Sequence, residues 1–164
     1  MGQQQLLLVI LVTILVGIAT VVAINVFGSA AENANRDAVR QDLIQAASSL
    51  QAIWARPLAL GGVSGDFADT DILTDVEFGR NIGIPGTVDA QGDVRNENAT
   101  YAITRNGDDQ VTIVASPLSY QFDLTMVVQR TQNPVAGDDA WTVTIDDAGG
   151  QQVQLSGPGG GGGG

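Results

Sequence analysis

The 164-residue chain contains no cysteine, no histidine and no lysine. Without cysteine there is no disulfide framework, thiolate metal site or thiol nucleophile, and without histidine there is no imidazole base. A Ser–His–Asp triad and a serine–lysine pair are both excluded. Hydrolysis by paired carboxylates has little support either, because no carboxylate falls in an apolar setting that would raise its pKa. Positive charge is scarce: seven arginines stand against eighteen acids, fifteen of them aspartate, for a net charge of −11. A field of that sign repels nucleic acid. It also keeps a surface hydrated in concentrated salt, although acidic proteins are common and soluble in dilute solution too. The expectation is a protein that is not an enzyme and has neither a cofactor nor a nucleic-acid partner.

What the chain does have is one long apolar tract. From Leu6 to Phe27 there are 22 residues without a charge, interrupted only by Thr13, Thr20 and Asn25, and Gly28 closes the run. All 25 charged residues lie beyond it. At about 1.5 Å per residue a helix of this length spans roughly 33 Å, the thickness of a bilayer's hydrocarbon core. A helix apolar on every face must be surrounded by lipid or by other protein. A cleaved secretory signal fits poorly, since Met1-Gly2-Gln3-Gln4-Gln5 carries no positive side chain. A plain membrane anchor would show basic and aromatic residues at its edges, yet the first arginine is Arg36.

The tract runs without a proline-rich linker into Glu32–Ala55, which also reads as helix. There Val39, Leu43, Ala46 or Ala47, Leu50 and Ile53 or Trp54 recur every three or four residues, the mark of one buried stripe. Arg56-Pro57 ends the pattern, because proline cannot continue a helix and restricts the residue before it. The expectation is a single helix of about 50 residues, roughly 75 Å long. Gly17 and Gly28 are positions where it would bend or partly unwind.

An apolar first half containing Gly17, followed by Ala34-Asn35-Arg36-Asp37-Ala38-Val39-Arg40-Gln41-Asp42-Leu43, resembles the N-terminal third of a type IV pilin. The resemblance covers about the first 55 residues. It implies a subunit trimmed by a leader peptidase, whose leading helix packs in a filament core while a small β-rich head covers the outside. It also implies an assembly machinery as partner, a membrane-embedded pool of free subunits, and a role in adhesion, motility or attachment. The chain departs from the family pattern in three places. Gln5 stands where a glutamate is usual, Val22 lies near the position of a usual proline, and no basic leader precedes Met1. The expectation is then that the chain is already trimmed or that its leader is unusually short, such as Met1-Gly2.

Polymerisation gives the tract a physical rationale. Each Leu, Ile or Val buried is worth about 1.5–3 kcal/mol relative to exposure. Free subunits would sit in lipid and then exchange lipid for protein, an exchange eased by Gly17, Ala19 and Ala23. Leu6, Leu8, Ile10, Val12, Leu15 and Val22 would supply the packing surface. Gln3, Gln4 and Gln5 would bond to neighbouring subunits, or else form a polar helix start at the membrane surface. Identical head-to-tail contacts give a helical fibre when the rotation does not close.

Beyond Pro57 short apolar runs alternate with Gly, Asn and Asp. The strand candidates are Asp71–Phe78, Thr100–Arg105, Gln110–Ala115, Tyr120–Arg130 and Trp141–Asp146. Asn106-Gly107 between two of them is a strong hairpin signal. The apolar face of this antiparallel sheet would pack on the stripe formed by Val39, Leu43, Ala47, Leu50 and Trp54. The fold class expected is α+β, a long N-terminal helix with its apolar half protruding and its amphipathic half packed on a β-sheet head. The domains expected are 1–57 for the helix, 58–156 for the head and 157–164 for a glycine-rich tail that cannot pack.

Three further features are weaker. Acidic clusters at Asp66, Asp69, Asp71 and Asp75, at Asp108-Asp109, at Asp138-Asp139 and at Asp146-Asp147 lack calcium-loop spacing, so they read as solvated loops and no metal site is expected. Asn98-Ala99-Thr100 satisfies the N-linked acceptor pattern in what reads as an exposed loop, making Asn98 a possible glycosylation site. Gly61-Gly62-Val63-Ser64-Gly65 reads as a flexible turn after the helix. The expected role is a filament subunit at the cell surface whose partner is itself. A secretion-system pseudopilin and a single-pass membrane-anchored β domain are the alternatives.

Overall fold

The computed structural model describes residues 2–69, 73–119, 121–131 and 140–147, together with the backbone of 151–156. It is an α+β protein: one long N-terminal helix followed by an antiparallel sheet. Helix α1 (Gly2–Ala55) is continuous through Gly17 and Gly28. The chain divides into two compact units at Ala34/Asn35, so the first holds the apolar part of α1 and the second holds its remainder with everything that follows.

Within the second unit α1 buries Val39, Leu43, Ala46, Ala47, Leu50 and Ile53. Their three-and-four spacing sets them on one face, and the opposite face carries Asp37, Gln41, Ile44 and Ser48, all exposed. The helix ends at Ala55, two residues before Pro57, and the carbonyls at its end are taken up by the chain that follows. Val63 N donates to Ile53 O at 3.1 Å, Gly65 N to Trp54 O at 2.9 Å and Ser64 N to Arg56 O at 3.1 Å. The segment Gly61–Gly65 is thus a built helix terminus rather than the flexible turn its glycines suggest. Val63 is buried, and a Cβ at Gly62 would lie 2.1 Å from Arg56 O.

The sheet has seven strands in simple sequence order, each antiparallel to the next. They are β1 (Thr87–Val88), β2 (Val94–Arg95), β3 (Ala99–Arg105), β4 (Gln110–Pro117), β5 (Leu124–Arg130), β6 (Trp141–Asp147) and β7 (Gln151–Ser156). The β3–β4 hairpin pairs Arg105 with Val111 across the Asn106–Asp109 turn, where Gly107 takes φ +81°. Alternate residues point inward: Tyr101, Val111, Ile113, Ala115, Leu124, Met126, Val128, Val143 and Ile145 are buried. Threonine is frequent at the outward positions, among them Thr100, Thr112, Thr125 and Thr144, none of them fully buried. The inward residues and the α1 stripe form one hydrophobic core, closed at one end by Trp54 edge-on to Trp141 at 5.6 Å.

Three strand expectations are corrected. Asp71–Phe78 is not a strand: its residues from Asp75 onward lie in helix α2 (Asp75–Asn81), and residues 71 and 72 lie outside the described residues. Thr74 starts that helix with a capping box, its hydroxyl accepting from Glu77 N while Glu77 reaches back to Thr74 N. Local capping here overrides the alternating apolar pattern. The strand expected to begin at Tyr120 begins at Leu124; Tyr120 itself lies outside the described residues, and the turn before Leu124 breaks the ladder. Finally β1, β2 and β7 are additional, the first two having only two residues each and so no readable alternation. The glycine tail 157–164 and Asp138-Asp139 lie outside the described residues.

Candidate assembly surface and the helix–head junction

The apolar half of α1 is bare. From Leu6 to Phe27 no Leu, Ile, Val or Phe is less than 47 % exposed, the value at Ile10; Val12 stands at 50 % and Phe27 at 74 %. Leu6, Leu8, Leu15 and Val22 are likewise exposed, as is Ala19, while Ala23 is half-buried. Nothing lies within 4 Å of a Cβ built at Gly17. Gln3, Gln4 and Gln5 occupy the first turns and are exposed. This is the one helix among the described residues long and apolar enough to cross a membrane, with a mean hydropathy of 3.1 over its best window.

Its hydroxyls are already satisfied. Thr13 Oγ1 donates to Ile10 O at 2.8 Å and Val9 O at 3.0 Å, and Thr20 Oγ1 donates to Val16 O at 2.8 Å. Ser29 Oγ does the same toward Asn25 O at 3.1 Å. These hydroxyls therefore carry no unmet hydrogen bond that would oppose an apolar surrounding. Backbone groups inside the helix are paired too, which is what lets a helix live without water.

In the second unit two carboxylates tie the half-buried margins of the core-facing side of α1 to the sheet. Asp42 accepts from Tyr101 Oη at 2.6 Å, from Asn96 Nδ2 at 2.9 Å and from Asn98 Nδ2 at 3.3 Å. Burial, then the hydrogen bond and charge of Asp42, hold the Tyr101 phenol well above its ordinary pKa. Asp147, at the end of β6, has no exposed side-chain surface and pairs with Arg36 and, at 3.5 Å, with Arg40. Arg36 and Arg40 are one helical turn apart, so both reach the same carboxylate. Asn35 Nδ2 donates to Asn98 O at 3.1 Å, adding a third tie at the same end.

Asn98 is accordingly not on an exposed loop. It is half-buried between β2 and β3, its amide nitrogen donates to Asp42, and its carbonyl accepts from Asn35 and from Leu118 N at 3.0 Å. A sugar on that nitrogen would have to displace the Asp42 contact. The triplet pattern reads sequence only, and the competing partner, 56 residues away, was not legible in it.

Val39, Leu43, Ala47 and Leu50 are all buried in the core. Trp54 is half-buried with Arg130 stacked over its ring at 3.8 Å. The structure adds Arg105, whose guanidinium donates to Phe67 O, Asp69 O and Leu73 O at 3.1–3.3 Å, pairs with Asp75 and sits over Phe78 at 4.9 Å. It fastens the Phe67–Asp75 segment to β3. No signal short of the fold pointed to Arg105. Nor did any local pattern join Arg36 and Arg40 to Asp147, more than a hundred positions away. Among the described residues no three acidic side chains converge where a metal ion would sit. No protein-family model matches the chain, and no curated protein or solved structure matches it either.

Proposed function

We propose that this chain is the structural subunit of an extracellular, type IV pilin-like filament, built by packing the Leu6–Phe27 halves of α1 from many copies. The carrying observation is the 22-residue tract, exposed on every face, on the same unbroken helix that supplies six buried residues to the head core. A tract of this size left in water would drive aggregation, so it needs lipid or copies of itself. Internally satisfied Thr13 and Thr20 suit both surroundings. In lipid, free subunits wait in the membrane. In the filament, small residues such as Gly17 and Ala19 admit close helix approach.

A single-pass anchored β domain is the second reading, supported by the hydropathy of the same tract. Negative-stain microscopy of material sheared from cells expressing the chain separates the two. Long fibres composed of this chain are expected. Lone particles recovered only with detergent, with no fibres at any expression level, would favour the anchor and defeat the filament.

A further inference from the structure

An asparagine loses its side-chain amide when the backbone nitrogen of the next residue attacks the side-chain carbonyl carbon, so that nitrogen has to be free. In most of this chain it is not. Val26 N, Ala34 N and Arg36 N, which follow Asn25, Asn33 and Asn35, lie inside α1, where each donates four residues back. Ile82 N, after Asn81, donates to Phe78 O at 3.1 Å, and Ala99 N, after Asn98, donates to Asn96 Oδ1 at 3.0 Å. The Asn96 side chain is itself held, donating to Asp42 while accepting from Asn98 N and Ala99 N. Asn133 precedes Pro134, which has no N–H.

Asn106 differs from all of these. It is exposed, lies between β3 and β4, and is the one asparagine followed by glycine. Nothing lies within 4 Å of a Cβ built at Gly107, so neither a side chain nor a neighbour crowds the approach. The loop around it is fastened: Asn106 N donates to Gln110 O at 2.8 Å, Phe67 N to Asp108 O at 2.9 Å and Arg130 N to Asp109 O at 2.8 Å. Gly107 N, by contrast, donates to no group among the described residues. One contact works against the reaction: Asn106 Nδ2 donates to Thr112 Oγ1 at 2.7 Å, which holds the amide across the hairpin.

We propose that Asn106 is a site of spontaneous covalent modification, a deamidation that proceeds with age and is restrained by Thr112. Gly107 N gives up its proton to water and attacks Asn106 Cγ. The new Cγ–N bond forms as the Cγ–Nδ2 bond breaks, and Nδ2 takes up a proton and departs as ammonia. Water then adds to one or other carbonyl of the succinimide, leaving aspartate or isoaspartate. Nothing is oxidised or reduced. Either product sets a carboxylate beside Asp108 and Asp109 in a chain already at −11. Isoaspartate also lengthens the backbone by a methylene group between Asn106 and Gly107. The chemistry is the same in a filament and in an anchored monomer.

The sequence supplies its own control. Cleavage after arginine gives fragment 106–130, in which Asn106 is the sole asparagine, and fragment 96–105, which contains Asn96 and Asn98. Full-length folded chain is aged in mildly alkaline buffer, digested and mapped by mass spectrometry with fragmentation. Fragment 106–130 should acquire separable aspartate and isoaspartate forms at residue 106 while fragment 96–105 stays unchanged. Gly107→Ala should slow the conversion several-fold. Thr112→Val should speed it several-fold, and Thr112→Ser, which keeps the hydroxyl, should match the native chain. Conversion of residue 106 no faster than of residues 96 and 98 would overturn the site. A native rate in Gly107→Ala would overturn attack by Gly107 N, and a native rate in Thr112→Val would overturn the restraint.

Discussion

Tyr101 Oη donates to Asp42 Oδ2 at 2.6 Å, joining the third strand of the sheet to the buried side of α1. The phenol has no exposed surface and its pKa is raised, first by burial and then by Asp42. Unfolded, it titrates near 10. Above that pH the unfolded chain has lost a proton that the folded chain keeps, so stability falls as pH rises. Below about pH 10 this residue contributes its full share at every pH. Thermal melts between pH 8 and 11 should therefore show a steep alkaline loss in the native chain and a shallower one in Tyr101→Phe. Equal slopes in the two proteins would remove Tyr101 as the cause.

Asp147 is the buried charge on which Arg36 and Arg40 converge. Removing one partner of a buried ion pair leaves the other uncompensated, at a cost of about 3–5 kcal/mol. Asp147→Ala should destabilise the head by that amount in urea titration. Asp37→Ala, on the exposed face of the same helix, should change it by less than about 0.5 kcal/mol. A similar effect at both positions would mean the Asp147 cluster does not hold the helix.

Leu43 and Leu50 lie wholly inside the core. Truncating either to alanine should cost about 2–5 kcal/mol, the sum of lost transfer energy and the cavity left behind. Ile44→Ala, between them in sequence but 48 % exposed, should cost far less. Chemical denaturation of the three variants checks the order.

Two glycines should respond differently to alanine. At Gly107 nothing lies within 4 Å of an added Cβ, so only the left-handed backbone resists, at about 1–2 kcal/mol. At Gly62 the Cβ would meet Arg56 O at 2.1 Å, backbone against backbone, and the helix terminus must shift. Gly62→Ala should be the more destabilising of the pair by calorimetry, and the reverse order would sink this account of the Gly61–Gly65 segment.

Val12→Asp or Leu15→Asp in the full chain should abolish fibres while leaving the head's melting temperature unchanged. One aspartate costs about 2.5–3.5 kcal/mol in a membrane helix, against many apolar residues that each favour insertion. The variant chain should therefore still fractionate with membranes. Intact fibres with the variant incorporated would count decisively against a core made of these residues.

The α+β class was legible because its two signals are long: an uninterrupted apolar run and a 3.6-residue stripe from Val39 to Ile53. The β3–β4 hairpin was legible because Asn106-Gly107 demands a turn and the flanking residues alternate. Asp75–Asn81 misled because four alternating residues look alike in a strand and in one helical turn, and only the Thr74–Glu77 cap decides between them. Strands β1 and β2 are too short to leave a period. The polar ties failed to show for another reason. Asp42 meets Tyr101 across 59 positions and Asp147 meets Arg36 across more than a hundred, so no local pattern joins them.

That last pairing has a consequence for biosynthesis. The head's first helical turn, at Arg36, is secured by a carboxylate that the ribosome adds only 111 positions later. A nascent chain therefore holds the head's part of its helix without that partner until β6 is complete. Chains stalled just short of Asp147 are expected to be cut readily by protease, and chains released a few residues beyond it to resist.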